Sequence, residues 1–284
     1  MKKFARLALA ALGVALVPAV VQAQDGKWGT VKIATEGAYV PWNFTGAGGK
    51  LEGFEIDLAN DLCGRMKVKC EIVAQDWDGI IPALTAKKYD AIMAGMSITD
   101  KRLETINFSR SYADAGNGIV VEKNSDAHKA LGPVTRLNLG TQKAEAEKAL
   151  EGVRAALKGK TVGVQVSSTH ANFADQYLKG AVEIREYKTT EQYDLDLAAG
   201  RVDAVIGDAT ALQGTLDKPE FKDYAIAGPG FSGGPLGRGV GVGLRKENQD
   251  LKTMFDTAIN AAIADGTVKR LSEKWFKLDV TPQG

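Results

Sequence analysis

The chain has 284 residues, 44% of them hydrophobic, enough for one large or two smaller domains with buried cores. Lysine and arginine total 36 against 35 aspartate and glutamate, so no basic excess argues for nucleic acid. The only cysteines are Cys63 and Cys70, and the two histidines, His128 and His170, lie far from them in sequence, a spacing that excludes the usual zinc-site patterns. No metal or cofactor is expected.

At the N-terminus, Lys2, Lys3 and Arg6 precede an uncharged, largely apolar run over residues 7–21. Val21-Gln22-Ala23 then supplies the small residues of a cleavage site, which is the pattern of a secretory signal over residues 1–23. The apolar run is shorter than the roughly 20 residues of a spanning helix. Cleavage after Ala23 removes three basic residues and leaves 33 basic against 35 acidic. An exported chain meets an oxidising compartment, so a disulfide between Cys63 and Cys70 is the default. Closing so short a loop would stabilise the fold by roughly 2–3 kcal/mol.

From there the chain reads strand, helix, strand, helix, strand. Residues 31–34 alternate like a strand and run into a loop rich in Gly, Pro and aromatic residues, Glu36-Gly-Ala-Tyr-Val-Pro-Trp-Asn-Phe44. Trp42 and Phe44 read as core, whereas Glu36 and Tyr39, at a strand end, are pocket candidates. Residues 46–50 suit a hairpin tip. Apolar residues over 53–63 recur at helical spacing. Residues 70–73 read as a strand, 75–79 as a turn carrying Trp77, and 80–86 as a helix with Pro82 tolerable in its first turn. A buried strand is expected over 90–95, ending in the small residues Ala94 and Gly95. Ser97 follows, then Thr99 as a helix N-cap candidate and Arg102 in the first turn. Such a loop offers N–H groups, a hydroxyl and a guanidinium to one anion.

Residues 118–122 form a strong strand signal. Residues 125–159 are polar and helix-prone, which suggests a solvated surface insertion. The earlier pattern then repeats: a strand over 161–165 ending in Gln165, a hydroxyl-rich helix start at Ser167-Ser168-Thr169-His170, a strand over 183–187, a helix over 190–199, and a strand over 200–208 ending in Asp208. Arg201-Val-Asp-Ala204 echoes Lys88-Tyr-Asp-Ala91, so two similar α/β lobes facing each other are expected. Eight glycines lie between Gly228 and Gly243. No helix follows them directly, which rules out a phosphate cradle, and residues 237–244 suit a flexible strand crossing between lobes. Helices over 251–263 and 267–276 should return to the first lobe. Ligands of such folds sit beyond the carboxyl ends of the strands and between domains.

Assembled, these loop ends offer Arg102, Ser97 and Thr169 with helix N–H groups to a carboxylate, Asp208 to an ammonium, Tyr39 and Trp77 as flanking rings, and Glu36 to a distal positive charge. An α-amino acid with a basic side chain satisfies the whole set. Each charge-assisted contact is worth roughly 1.5–3 kcal/mol.

Glu36-Gly-Ala-Tyr39, Gly53-Phe-Glu-Ile-Asp57, Ser97-Ile-Thr-Asp-Lys-Arg102, Gly200-Arg-Val-Asp-Ala204 and Ala264-Asp-Gly-Thr267 together resemble the periplasmic solute-binding proteins of polar amino-acid ABC transporters. The nearest branch holds the lysine/arginine/ornithine, histidine, octopine and nopaline binders. The resemblance covers nearly the whole mature chain. It implies a two-lobed type II periplasmic binding protein fold with two crossing hinge strands, lobe 1 over 24–115 and 239–284 and lobe 2 over 116–238 with the insertion at about 126–159. It further implies a monomer in the periplasm that closes on a ligand in the interlobe cleft and delivers it to a membrane permease, without catalysis. By resemblance Arg102 takes the α-carboxylate with Ser97 and Thr169, Asp208 takes the α-amine, Tyr39 and Trp77 flank the side chain, Glu36 meets a basic group, and Cys63–Cys70 matches the family's small-loop disulfide. Ala94-Gly95 replaces a serine pair common in the basic amino-acid binders, and Gln165 and His170 also depart from that group. Ser168 belongs with the hydroxyl-rich helix start. A free basic amino acid is the expected ligand, an opine the alternative, and a dehydratase-like enzyme on the same fold the rival class.

Overall fold

The protein is described by a computed structural model covering residues 28–114 and 116–282; the expected signal segment, residues 1–23, lies outside the described residues. The first part of the chain runs β1 (Thr30–Thr35), the small meander β2 (Ala38–Tyr39), β3 (Asn43–Thr45) and β4 (Leu51–Glu52), then α1 (Phe54–Met66), β5 (Lys69–Ala74), α2 (Ile80–Thr85), β6 (Ala91–Ile92), α3 (Asp100–Leu103) and β7 (Asn107–Ala113). The middle part runs β8 (Asn117–Glu122), α4 (Asp126–Leu131), β9 (Thr135–Asn138), α5 (Lys143–Ala156), β10 (Thr161–Gln165), α6 (Thr169–Tyr177), β11 (Glu183–Tyr187), α7 (Thr190–Ala198), β12 (Ala204–Asp208), α8 (Ala209–Leu216), β13 (Tyr224–Ala227) and β14 (Pro229–Ser232). The last part is β15 (Val240–Leu244), α9 (Gln249–Ala264) and α10 (Thr267–Phe276).

Two five-stranded sheets result, ordered β5-β1-β6-β15-β7 and β11-β10-β12-β8-β13. In each, the first strand of a βαβαβ unit lies between its two parallel partners, and antiparallel strands complete the other side. The repeated x-Asp-Ala signal has one physical cause in both units. The Asp90 carboxylate accepts the N–H of Lys32 at 3.0 Å, and the Asp203 carboxylate accepts that of Thr161 at 2.8 Å, so each aspartate ties the entry of a third strand to the start of the first. The expected strands shorten accordingly: only Ala91–Ile92 and Ala204–Asp208 pair, not 90–95 or 200–208.

The chain passes between the sheets twice, from β7 to β8 and from β14 to β15, so the architecture is the two-lobed arrangement. The second passage is not strand throughout, as 237–244 suggested. Gly237 and Gly239 have φ near +85° and +81°, and pairing in the first sheet begins at Val240. A Cβ would sit 2.5 Å from the Ile98 carbonyl oxygen at Gly237 and 2.3 Å from Ser111 Oγ at Gly239, so both turns require glycine.

Each sheet has its own core. The first joins α1, α9 and α10 around Phe54, Leu58, Leu62, Phe255 and Ile259, and the Cys63–Cys70 disulfide ties α1 to β5 beside it. The second includes Ala146, Leu150, Val153 and Leu157. This corrects the reading of residues 126–159 as a solvated insertion: one face of α5 is buried in the second core, and β9 pairs in parallel with β14. Its charged residues occupy the outer face, which is why composition alone suggested solvent.

Candidate functional site

The cleft between the sheets holds a cavity of about 1010 Å³. Glu36, Tyr39, Trp77, Ala94, Gly95, Ser97, Arg102, Gln165, Ser168, Thr169, His170 and Asp208 all line it. They converge because the carboxyl ends of equivalent strands face each other. Glu36 follows β1 and Gln165 ends β10; the loop carrying Ala94, Gly95 and Ser97 follows β6, and Asp208 ends β12.

Arg102 stands at one end. Thr99 caps α3, its hydroxyl accepting the Arg102 N–H at 3.2 Å, so the cap sets the start of the turn that carries the guanidinium. Among the described residues that guanidinium donates only to carbonyl oxygens, of Ser97 at 2.9 Å and, across the cleft, of Ser167 at 3.5 Å. It lies over the Trp77 ring, 5.2 Å from the centroid. Burial without an acidic partner lowers its pKa to about 10, which leaves it charged at neutral pH and able to bind an anion. Facing it, Ser168 caps α6 by accepting the Ala171 N–H at 3.0 Å, and Thr169 begins the helix. His170, in the same turn, bonds through Nε2 to Asn117 Oδ1. Burial and then the Arg102 charge draw its pKa down to about 4, so it is neutral at physiological pH.

Asp208 is both strand end and helix cap. Its Oδ1 accepts the N–H groups of Thr210 at 2.9 Å and Ala211 at 3.1 Å, the Thr210 hydroxyl, and Trp42 Nε1 at 3.2 Å. Oδ2 accepts no hydrogen bond among the described residues. Burial raises the pKa, while these bonds favour the charged form. At the other end Glu36 Oε1 accepts from Gln165 Nε2 at 2.7 Å across the cleft. Burial is the main cause that pushes Glu36 up to about 7, the Gln165 bond opposes it, and the neighbouring Glu55 and Asp76 charges add to it. The cavity therefore holds the Arg102 guanidinium and the carboxylates of Asp208 and Glu36 among partly apolar walls.

Sequence reasoning missed four contributors. Trp42 was assigned to the core, and it is there, 1% exposed against Phe54 and Phe276. Yet it also lines the cavity and bonds Asp208 and Thr210. Glu55 is fully buried; its oxygens accept from Gly95 N–H at 2.7 Å, from the Tyr112 hydroxyl and from Asn43 Nδ2 at 2.6 Å. Asn43 in turn accepts the Gly37 N–H at 2.8 Å, so one carboxylate braces both first-lobe loops of the site. Asn117 and Thr210 complete the set. None of the four carried a signal that singled it out in the sequence.

The family described as bacterial extracellular solute-binding proteins, family 3, matches residues 31–278. The chain is 51% identical over 271 residues to an octopine-binding periplasmic protein of Rhizobium meliloti, covering 89% of this chain and 92% of that one. It is 35% identical over 283 residues to an L-arginine-binding protein of Pseudomonas aeruginosa, covering 99% and 98%. Among solved structures it resembles an ancestral arginine-binding protein bound to arginine, with a TM-score of 0.73, 33% identity, and coverage of 87% and 98%.

Proposed function

Because the chain belongs to the bacterial extracellular solute-binding proteins of family 3, we propose that it is the periplasmic substrate-binding component of an ABC importer, capturing a basic L-amino acid and handing it to the membrane permease. The observation that carries this reading is Arg102, a guanidinium in the cleft whose only bonds among the described residues are to carbonyl oxygens. An α-carboxylate completes it, with Ser97 and Thr169 alongside. Asp208 Oδ2 takes the ammonium, Tyr39 and Trp77 flank the side chain, and Glu36 with Gln165 receives the distal cation. Ala94, Gly95, Ser168 and His170 shape the space between. The polar groups each have a binding task in this scheme, and none is asked to transfer a proton.

A second reading, an opine of the octopine type, is favoured by the 51% identity to an octopine-binding protein. The cavity also reaches Asn117, Asn138 and Ser232, and its volume lies at the upper end of the usual 300–1,000 Å³. Such a ligand carries an extra carboxyl-bearing group on the amine and needs that room.

A thermal-shift screen of the twenty amino acids with ornithine, octopine and nopaline tests both readings, since a ligand of the native state raises Tm by mass action. Arginine, lysine, ornithine or histidine giving the largest shift supports the first, and octopine or nopaline the second. No shift with any of them, confirmed by calorimetry, would sink both.

A further inference from the structure

One contact across the cleft is made by a residue of the first core. The Trp42 ring packs against Phe54 at 5.6 Å and Phe276 at 4.8 Å between centroids. Its one polar atom points out of that core. Nε1 donates to Thr210 Oγ1 at 2.8 Å and to Asp208 Oδ1 at 3.2 Å, both in the second lobe. Ala211, in the first turn of α8, is part of the first core, so apolar contact continues through the same point. A buried indole N–H without an acceptor is costly, so separating the lobes here must expose it to water or leave it unsatisfied.

The consequence falls on Asp208. A carboxylate that caps a helix can rotate between its two oxygens. Here the Thr210 and Ala211 N–H groups, the Thr210 hydroxyl and the Trp42 indole all converge on Oδ1. We propose that Trp42 is a positioning residue for ligand binding: when the lobes meet, its indole N–H, together with the Thr210 hydroxyl, fixes Asp208 with Oδ2 turned to the ligand's charged amine. Closure and amine recognition are then one event. The open protein presents a looser Asp208, and only the closed one presents it oriented. This inference rests on the assignment of Asp208 to the amine.

The test is a double-mutant cycle of Trp42→Phe and Thr210→Val, with L-arginine and octopine as probes, read by calorimetric Kd and by stopped-flow dissociation rate. Phenylalanine keeps an aromatic ring in the core and removes the N–H; valine keeps the shape of threonine and removes the hydroxyl. Each single variant should weaken the better-bound probe about tenfold, through faster dissociation with an association rate near wild type, and the double variant should be no weaker than Trp42→Phe within twofold. A loss below twofold in Trp42→Phe, or losses that multiply in the double variant, would overturn the inference while leaving the proposed function standing. If Trp42→Phe is too unstable to assay, Thr210→Val decides alone, since it lies outside the first core: an unchanged dissociation rate overturns the inference. If wild-type protein binds neither probe, the tightest-binding of lysine, ornithine, histidine and nopaline takes their place, and wild-type protein that binds none of these removes the site reading and this inference with it.

Discussion

At one end of the cleft the charge is fixed across the working pH range, and at the other it titrates. Arg102 is held by a capped helical turn and by carbonyl oxygens, with no carboxylate partner among the described residues. Glu36 is held by one neutral amide from the opposite lobe and is pushed up to about 7. The difference matches the two tasks of an amino-acid binder. The end that grips what all amino acids share needs a constant cation. On the proposed assignment, the end that would choose between side chains carries a group whose charge is balanced between states, so that its response would depend on what arrives.

Breaking the constant end should do the most damage. On the proposed assignment, Arg102→Ala removes the cation for the α-carboxylate and Asp208→Ala removes the ammonium partner; each should weaken any amino-acid ligand by more than a hundredfold, about 2.7 kcal/mol or more. Calorimetry with arginine and glutamine would show equal losses for both ligands, since neither residue meets the side chain. A selective loss would contradict the division between the ends. Glu36→Gln should act at the other end only. Arginine should weaken roughly thirtyfold, an ion-paired hydrogen bond exchanged for a neutral one, while glutamine binding shifts by less than threefold. Equal effects on the two ligands would remove Glu36 as the selecting residue. Glu55→Gln sharpens the comparison from beneath. All three of its partners donate to it, and an amide presents one donor where an acceptor is needed. Because it braces the loops of Gly37 and Gly95 rather than touching one end, the expected loss is about tenfold and the same for arginine and glutamine, with a lowered Tm.

Both ends were legible as residue types at a strand end or in the first turn of the helix after one, because the βαβ repeat places those positions at one cleft whatever the details of packing. What joins them was not. Trp42 in Pro-Trp-Asn reads as core because so large an apolar ring is mostly buried, and nothing in the chain reveals that its single N–H leaves the core toward residues 208–210. Glu55 was hidden for the opposite reason: a carboxylate near a helix start reads as a favourable first-turn charge on a solvated face, and only the fold shows that three donors surround it. In α5 and the residue that ends it, the apolar residues Ala146, Leu150, Val153 and Leu157 do recur at helical spacing, but the dense charges between them masked a face that the second core needs. The strand over 90–95 shortened to two residues because the loop turns toward Glu55, with Gly95 at φ +60°, a conformation that pattern reading could not anticipate.

The smallest effect, and the most specific to the titrating end, is a pH dependence. Burial raises Glu36 from its ordinary value of 4.5 to about 7 in the protein without ligand. A raised folded-state pKa means that the neutral acid is favoured by folding. That contribution to stability is fully present below about pH 4.5 and is lost as pH rises through 7. A cationic side chain reverses the preference, because it pairs with the carboxylate and lowers its pKa. Arginine binding must then release a proton wherever free Glu36 is still protonated, and the apparent affinity must rise with pH. Taking about 7 as the midpoint, the carboxylate fraction grows roughly threefold between pH 6.5 and 7.5. Arginine affinity should rise by about that factor, while glutamine stays flat and Tm without ligand falls slightly. In Glu36→Gln the slope should vanish for arginine. His170, already neutral with a pKa drawn down to about 4, titrates below this window. A slope that survives in Glu36→Gln would therefore point to a different titrating group, and the contrast between a fixed and a titrating end would have to be given up.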